Sequence, residues 1–341
     1  MIQKFLYRSP FKLDSNEVLP ELELSYSVQG RLNKNKDNVV WICHALTGNA
    51  NPEGWWSGLV GEGKTFDPSK HFIVCANVLG SCYGSTGPLS KSPSTGRPYY
   101  HDFPHLTIRD IVNSLDLLRN HLQITRIQYL VGGSLGGQQA LEWSIKQPDK
   151  IINLILVATN AKHSPWGIAF NESQRLAIAS DVSWKENRKE AGQNGLATAR
   201  SIALLSYRNY STYHKTQQDD NDKIDDFNAS SYQRYQGQKF INRFNAFSYW
   251  VLSKAMDSHD VSRGRKSFSN ALGFIKAKTL VIGITTDLLF PISESVFITQ
   301  HIKNSQLKII DSIYGHDGFL IESEQIHNSI IESYLPVKEI I

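Results

Sequence analysis

Six short runs along the chain are apolar nearly throughout: residues 39–43, 72–76, 127–131, 154–157, 279–284 and 307–310. They do not alternate with polar residues, so they predict strands covered on both faces, as in a mainly parallel sheet. Between them lie helical patterns. The clearest places Ile108, Ile111, Val112, Leu115, Leu118 and Leu122 on one face, with Thr107 as its N-cap. Strands alternating with helices predict an α/β fold. The alternation stops between residues 162 and 265, where the chain is polar, rich in Gln and Asn and poor in strand patterns, with a helix-compatible stretch at 195–207. Because strand patterns resume at Thr279, the expectation is an α/β core (1–161 and 266–341) interrupted by a helical lid (162–265).

Composition narrows the function classes. A chain of 341 residues with 40% hydrophobic content can bury a large core. Its 36 Lys and Arg against 32 Asp and Glu leave a formal charge of +4 without a basic cluster, so no nucleic-acid partner is expected. The N-terminus lacks the apolar centre of a signal peptide and no run is long enough for a membrane span, so no membrane partner and a cytoplasmic address are expected. Cys43 and Cys75 sit in strand-like runs, which argues against disulfides, and Cys82 has no base placed for it. No metal-ligand spacing is present, and the Gly-rich stretch 80–87 lacks the lysine of a phosphate loop, so no metal is expected.

Candidate chemistry centres on Gly132-Gly133-Ser134-Leu135-Gly136-Gly137, between the strand pattern at 127–131 and a helical pattern from Gln138. Strand, tight turn and helix form the nucleophile elbow of the α/β-hydrolase fold, where small residues let the backbone close on itself. A serine hydroxyl needs a base and an acid to orient that base, in the order Ser, Asp, His on this fold. Asp287, just after the run at 279–284, and His316, just after the last run, satisfy that order at the carboxyl ends of strands. An oxyanion hole needs two backbone N–H groups; Leu135 supplies one and Leu46, in the loop after 39–43, the other. These residues imply acyl transfer, to water or to another acceptor.

Longer blocks carry a resemblance. Gly54-Trp55-Trp56-Ser57-Gly58, Asn77-Val78-Leu79-Gly80-Ser81, the elbow through Trp143, Tyr235-Gln236-Gly237, Ala255-Met256-Asp257-Ser258-His259-Asp260 and Gly315-His316-Asp317-Gly318 resemble homoserine O-acetyltransferases, from about residue 22 to about residue 335. The resemblance implies that acetyl passes from acetyl-CoA to Ser134 and then to the γ-hydroxyl of L-homoserine, in methionine biosynthesis, with acetyl-CoA as co-substrate and no resident cofactor. It implies the same triad, a homodimer through the lid, Arg200 and Tyr207 on the homoserine carboxylate, and Asp317 on its amine. The chain departs from the family at Leu135 and Gln138, where the family usually has methionines. Gln138 keeps succinyl transfer to homoserine or serine as an alternative; an esterase and a non-catalytic binding relative are the others.

Overall fold

A computed structural model describes residues 1–334; positions 335–341 of the expected second core segment lie outside the described residues. The strands are β1 (Ile2–Tyr7), β2 (Phe11–Lys12), β3 (Val18–Leu19), β4 (Leu22–Gln29), β5 (Val39–Cys43), β6 (Phe72–Ala76), β7 (Ile127–Gly133), β8 (Ile151–Val157), β9 (Lys278–Ile284) and β10 (Ser305–Ile310). Eight of them form one sheet in the order β1-β4-β6-β5-β7-β8-β9-β10. From β6 to β10 all neighbours are parallel, while β4 and β1 add an antiparallel edge.

Five of the six apolar runs have the predicted cause; the sixth lies in β10, an edge strand that leaves Ile309 exposed, so it is not covered on both faces. Along β5, Val39, Trp41 and Cys43 enter one core cluster, while Val40 and Ile42 enter the other. Side chains alternate along a strand, so cover on both faces demands apolar residues at every position. The antiparallel strand β4, between β1 and β6, differs, with Leu22, Leu24 and Tyr26 in the core and Ser25 and Ser27 on the other face. Both serines are nevertheless buried; the 80–87 loop folds over Ser25, whose N–H donates to Ser85 Oγ at 3.0 Å.

The helices are α1 (Pro52–Trp55), α2 (Ile108–His121), α3 (Leu135–Lys146), α4 (Pro165–Ala179), α5 (Gln193–Tyr207), α6 (Tyr210–Gln217), α7 (Asn228–Ile241), α8 (Ala246–Asp257), α9 (Phe268–Gly273), α10 (Ile292–His301), α11 (Gly318–Ile321) and α12 (Ser323–Tyr334). Thr107 caps α2 in a reciprocal capping box with Asp110. Residues of α2, α3, α9 and α10 join the cluster on one sheet face and residues of α12 that on the other. Helices α4 to α8 all fall between β8 and β9. The two ends of this insertion meet: Lys162 bridges Asp260, and His163 N–H donates to His259 carbonyl at 2.9 Å.

The strand order places the functional candidates. Proceeding from β5, the chain adds β6 on one side and then β7 on the other. Such a switch point opens a crevice at the strands' carboxyl ends, which is where α/β sheets bind ligands. Ser134 follows β7 and Leu46 follows β5, so both candidates border that crevice.

Candidate active site

Ser134 sits between β7 and α3 with φ 57° and ψ −128°, a conformation that L residues rarely adopt. Four hydrogen bonds hold it there. Its N–H donates to Val157 carbonyl at 3.0 Å, and its carbonyl accepts from Gly137 N–H at 2.9 Å, Gln138 N–H at 3.2 Å and Thr159 Oγ1 at 2.8 Å. The flanking glycines are required by close approach. A Cβ at Gly132 would lie 2.1 Å from Gly136 carbonyl oxygen, and one at Gly136 would lie 2.1 Å from Cys43 carbonyl oxygen. For the same reason the helix starts at Leu135, earlier than the expected Gln138: glycines in its first turn let it press against the end of β5.

The three candidates for the triad come together. Ser134 Oγ lies 2.9 Å from His316 Nε2, and His316 Nδ1 lies 2.7 Å from Asp287 Oδ2. An ionised carboxylate only accepts, so Nδ1 carries the proton and Nε2 is free to accept the serine's. The other Asp287 oxygen accepts the N–H groups of Leu289 and Phe290, each at 2.8 Å. All three residues are buried. The imidazole is packed by Phe290, Phe319 and Tyr207, with ring centroids at 5.1, 5.2 and 5.8 Å. Thr286 joins the two loops that carry acid and base: its hydroxyl donates to Ser312 carbonyl at 2.6 Å and accepts from Gly315 N–H at 3.0 Å.

The amides of Leu46 and Leu135 donate to no protein acceptor among the described residues. The peptide that carries the Leu46 N–H is fixed through its carbonyl, on Ala45, which accepts from His44 Nδ1 at 2.8 Å and Gly48 N–H at 2.9 Å. His44 Nε2 accepts from Val78 N–H at 3.1 Å, so the neutral imidazole is held in one tautomer. Gln138, whose departure from the family pattern left the acyl donor open, is fully buried and donates to Asn160 Oδ1 at 2.9 Å. The Cys82 thiol is pushed up to about 11 by burial, which keeps it from acting as a thiolate.

Charged groups flank the triad. The Arg200 guanidinium lies 5.4 Å from the Tyr207 ring and 5.1 Å from the Phe240 ring. Arg200 has no ion-pair partner among the described residues, whereas Asp317 forms an ion pair with Arg208, its Oδ2 lying 2.8 Å from Arg208 Nε. Burial raises the Asp317 carboxyl above its ordinary value, against the pull of Arg208, Arg200 and His316. Arg208 was not legible in the sequence. It reaches Asp317 only because the end of α5 packs on the His316 turn, where a Cβ at Gly315 would lie 3.0 Å from Tyr207 carbonyl oxygen.

Three buried histidines give the fold a pH limit. Burial lowers His44 and His163 to about 4 and His259 to about 3, from an ordinary 6.5. The unfolded chain therefore takes up protons below pH 6.5 that the folded chain refuses until pH 3–4. Stability is complete above that upper value and falls through the window; raised carboxyls such as Asp110 and Asp257 offset part of the loss. Melting at pH 4.5 is expected well below that at pH 7.5, by on the order of several kcal/mol of stability. An unchanged midpoint between those pH values would contradict neutral burial of the three imidazoles.

Comparisons with known proteins agree with this geometry. A family model described as alpha/beta hydrolase fold matches residues 38–323. The chain is 56% identical to a homoserine O-acetyltransferase of Cyclobacterium marinum over 336 residues, which covers 98% of this chain and 96% of the relative. The crystal structure of a homoserine O-acetyltransferase from Bacillus anthracis superposes with a TM-score of 0.93 at 24% identity, covering 98% of both chains. An acetylester hydrolase from Corynebacterium glutamicum superposes at 0.88 with 23% identity, covering 98% of this chain and 96% of that one. At these identities the two structural likenesses bear on the fold.

Proposed function

The chain belongs to the homoserine O-acetyltransferases, acyltransferases built on the α/β-hydrolase fold, and we propose that it works through an acyl-Ser134 intermediate with acetyl-CoA as donor, in methionine biosynthesis. Ser134 Oγ attacks the thioester carbonyl as its proton passes to His316 Nε2. Collapse of the tetrahedral intermediate breaks the C–S bond, and His316 returns the proton to the departing thiolate. In the second half, His316 takes the proton of the homoserine γ-hydroxyl, whose oxygen attacks the acyl-serine. The proton then returns to Ser134 Oγ as O-acetylhomoserine leaves. The Leu46 and Leu135 amides stabilise the oxyanion of both tetrahedral intermediates.

One observation carries the acceptor assignment: groups of opposite charge stand beside the catalytic base, within electrostatic reach of each other. Arg200, lacking a carboxylate partner, suits the acceptor's carboxylate, beside Tyr207, and Asp317, next in chain to the base, suits its ammonium. A zwitterion gripped at both ends presents its hydroxyl in one orientation. The exposed side chains of Leu205, Tyr210 and Tyr235 on α5, α6 and α7 support a homodimer through the insertion. Among the described residues no helix is long and apolar enough to cross a membrane.

The test is a comparison of acetyl-CoA with succinyl-CoA, and of L-homoserine with L-serine and water, on acyl-Ser134. Acetyl-CoA and homoserine are expected to be the preferred pair, with discharge by water far slower than by homoserine. Preference for the succinyl donor, or equal discharge by water, would overturn the reading. Arg200→Met is expected to raise the homoserine KM roughly ten- to a hundredfold, the worth of a charge-assisted hydrogen bond. An unchanged KM would remove Arg200 from the acceptor site.

A further inference from the structure

Arg243 lies between α7 and α8, far in sequence from any triad residue, yet it bonds directly to the loop that carries the proposed second oxyanion donor. Its Nη1 donates to Thr47 carbonyl at 2.8 Å and to Tyr83 Oη at 2.8 Å, and its Nη2 lies 3.3 Å from Thr47 Oγ1. The planar fork thus takes both oxygens of one residue, which fixes orientation as well as distance. Its guanidinium also stacks on Phe240, at 5.0 Å from the ring, the same ring that Arg200 approaches at 5.1 Å. Arg243 is exposed at the rim of a cavity of about 400 Å³, so the contact is not a by-product of burial in the core.

We propose that Arg243 is a positioning residue that aims the Leu46 amide, so that the helical insertion sets the geometry of the oxyanion hole. The inference rests on the roles proposed for Ser134 and Leu46. The peptide between Ala45 and Leu46 is held from inside by His44 and Gly48, both on the Ala45 carbonyl. A trans peptide points its N–H opposite its carbonyl, so those bonds aim the Leu46 amide away from His44. Among the described residues no core group hydrogen-bonds the next residue, Thr47, and Arg243 does so from the insertion. Without it the loop keeps its inner anchor and loses its outer one, so the peptide that carries the Leu46 N–H is held from one side only and is displaced with the loop. A displacement of about 1 Å at a catalytic donor costs as much as roughly a hundredfold in rate.

The experiment measures the rate of Ser134 acylation by p-nitrophenyl acetate, from the burst of p-nitrophenol, in Arg243→Met and Arg243→Lys, together with the homoserine KM and the melting temperature. Acylation in Arg243→Met is expected to slow roughly ten- to a hundredfold while the homoserine KM moves by less than about threefold. Methylguanidinium added to Arg243→Met is expected to restore part of the rate, and Arg243→Lys, which has charge without the fork, to fall between. Unchanged acylation, or a slowed rate that methylguanidinium does not raise, would overturn the proposal. Should Arg243→Met not fold, Tyr83→Phe decides, since it removes one partner of the guanidinium; slower acylation supports the proposal and an unchanged rate overturns it. Failure of the unsubstituted enzyme to form acyl-Ser134 at all would instead sink the intermediate on which the inference rests.

Discussion

Ser134→Ala is expected to lower kcat for acetyl transfer to homoserine by roughly 10⁴- to 10⁶-fold, since members of a triad act as a unit. The structure makes this substitution a clean one. Alanine keeps the Cβ, so the backbone strain at φ 57° is no greater, and all four hydrogen bonds that hold residue 134 involve main-chain atoms of that residue. Only the hydroxyl that meets His316 Nε2 at 2.9 Å is lost. The melting temperature is therefore expected to stay close to that of the parent, and calorimetric binding of homoserine to persist, because Arg200 and Asp317 are untouched. A variant that folds, binds homoserine and retains more than about a tenth of the activity would show that acyl transfer does not pass through this oxygen.

The same contrast separates what the sequence made legible from what it did not. Each triad residue lies within a few positions of a strand's carboxyl end, and those strands were visible as nearly continuous apolar runs. Leu46 was legible on the same ground. Groups that position these residues from other segments were not. Thr159, whose hydroxyl donates to Ser134 carbonyl, reads in sequence as a polar residue after a strand. Arg243 and Arg208 act only because α5 and the turn before α8 dock on loops more than a hundred residues away in the chain. Arg208 stands beside Tyr207 in the chain, yet no periodicity marks a contact that depends on how an insertion sits. β4 was missed for a different reason. Leu22, Leu24 and Tyr26 alternate with polar residues, as in an antiparallel strand with one polar face, and such a strand contains no continuous apolar run.

Asp287→Asn is expected to lower kcat by roughly 10⁴-fold with little change in the homoserine KM, through the tautomer of His316. The loop dictates how an asparagine must sit. The Oδ1 position accepts two main-chain N–H groups, from Leu289 and Phe290, both at 2.8 Å, and only a carbonyl oxygen can fill it. The amide nitrogen is then forced into the Oδ2 position, 2.7 Å from His316 Nδ1. An amide NH₂ only donates, so Nδ1 must give up its proton and accept, which moves the imidazole proton to Nε2. Nε2 then donates towards Ser134 Oγ where catalysis needs it to accept, and the serine keeps its proton. The geometry survives while the base is lost. Restored activity at high pH, where hydroxide can take the serine proton, together with an unchanged homoserine KM, is the expected signature; a loss of less than about tenfold at neutral pH would show that Asp287 does not govern the tautomer.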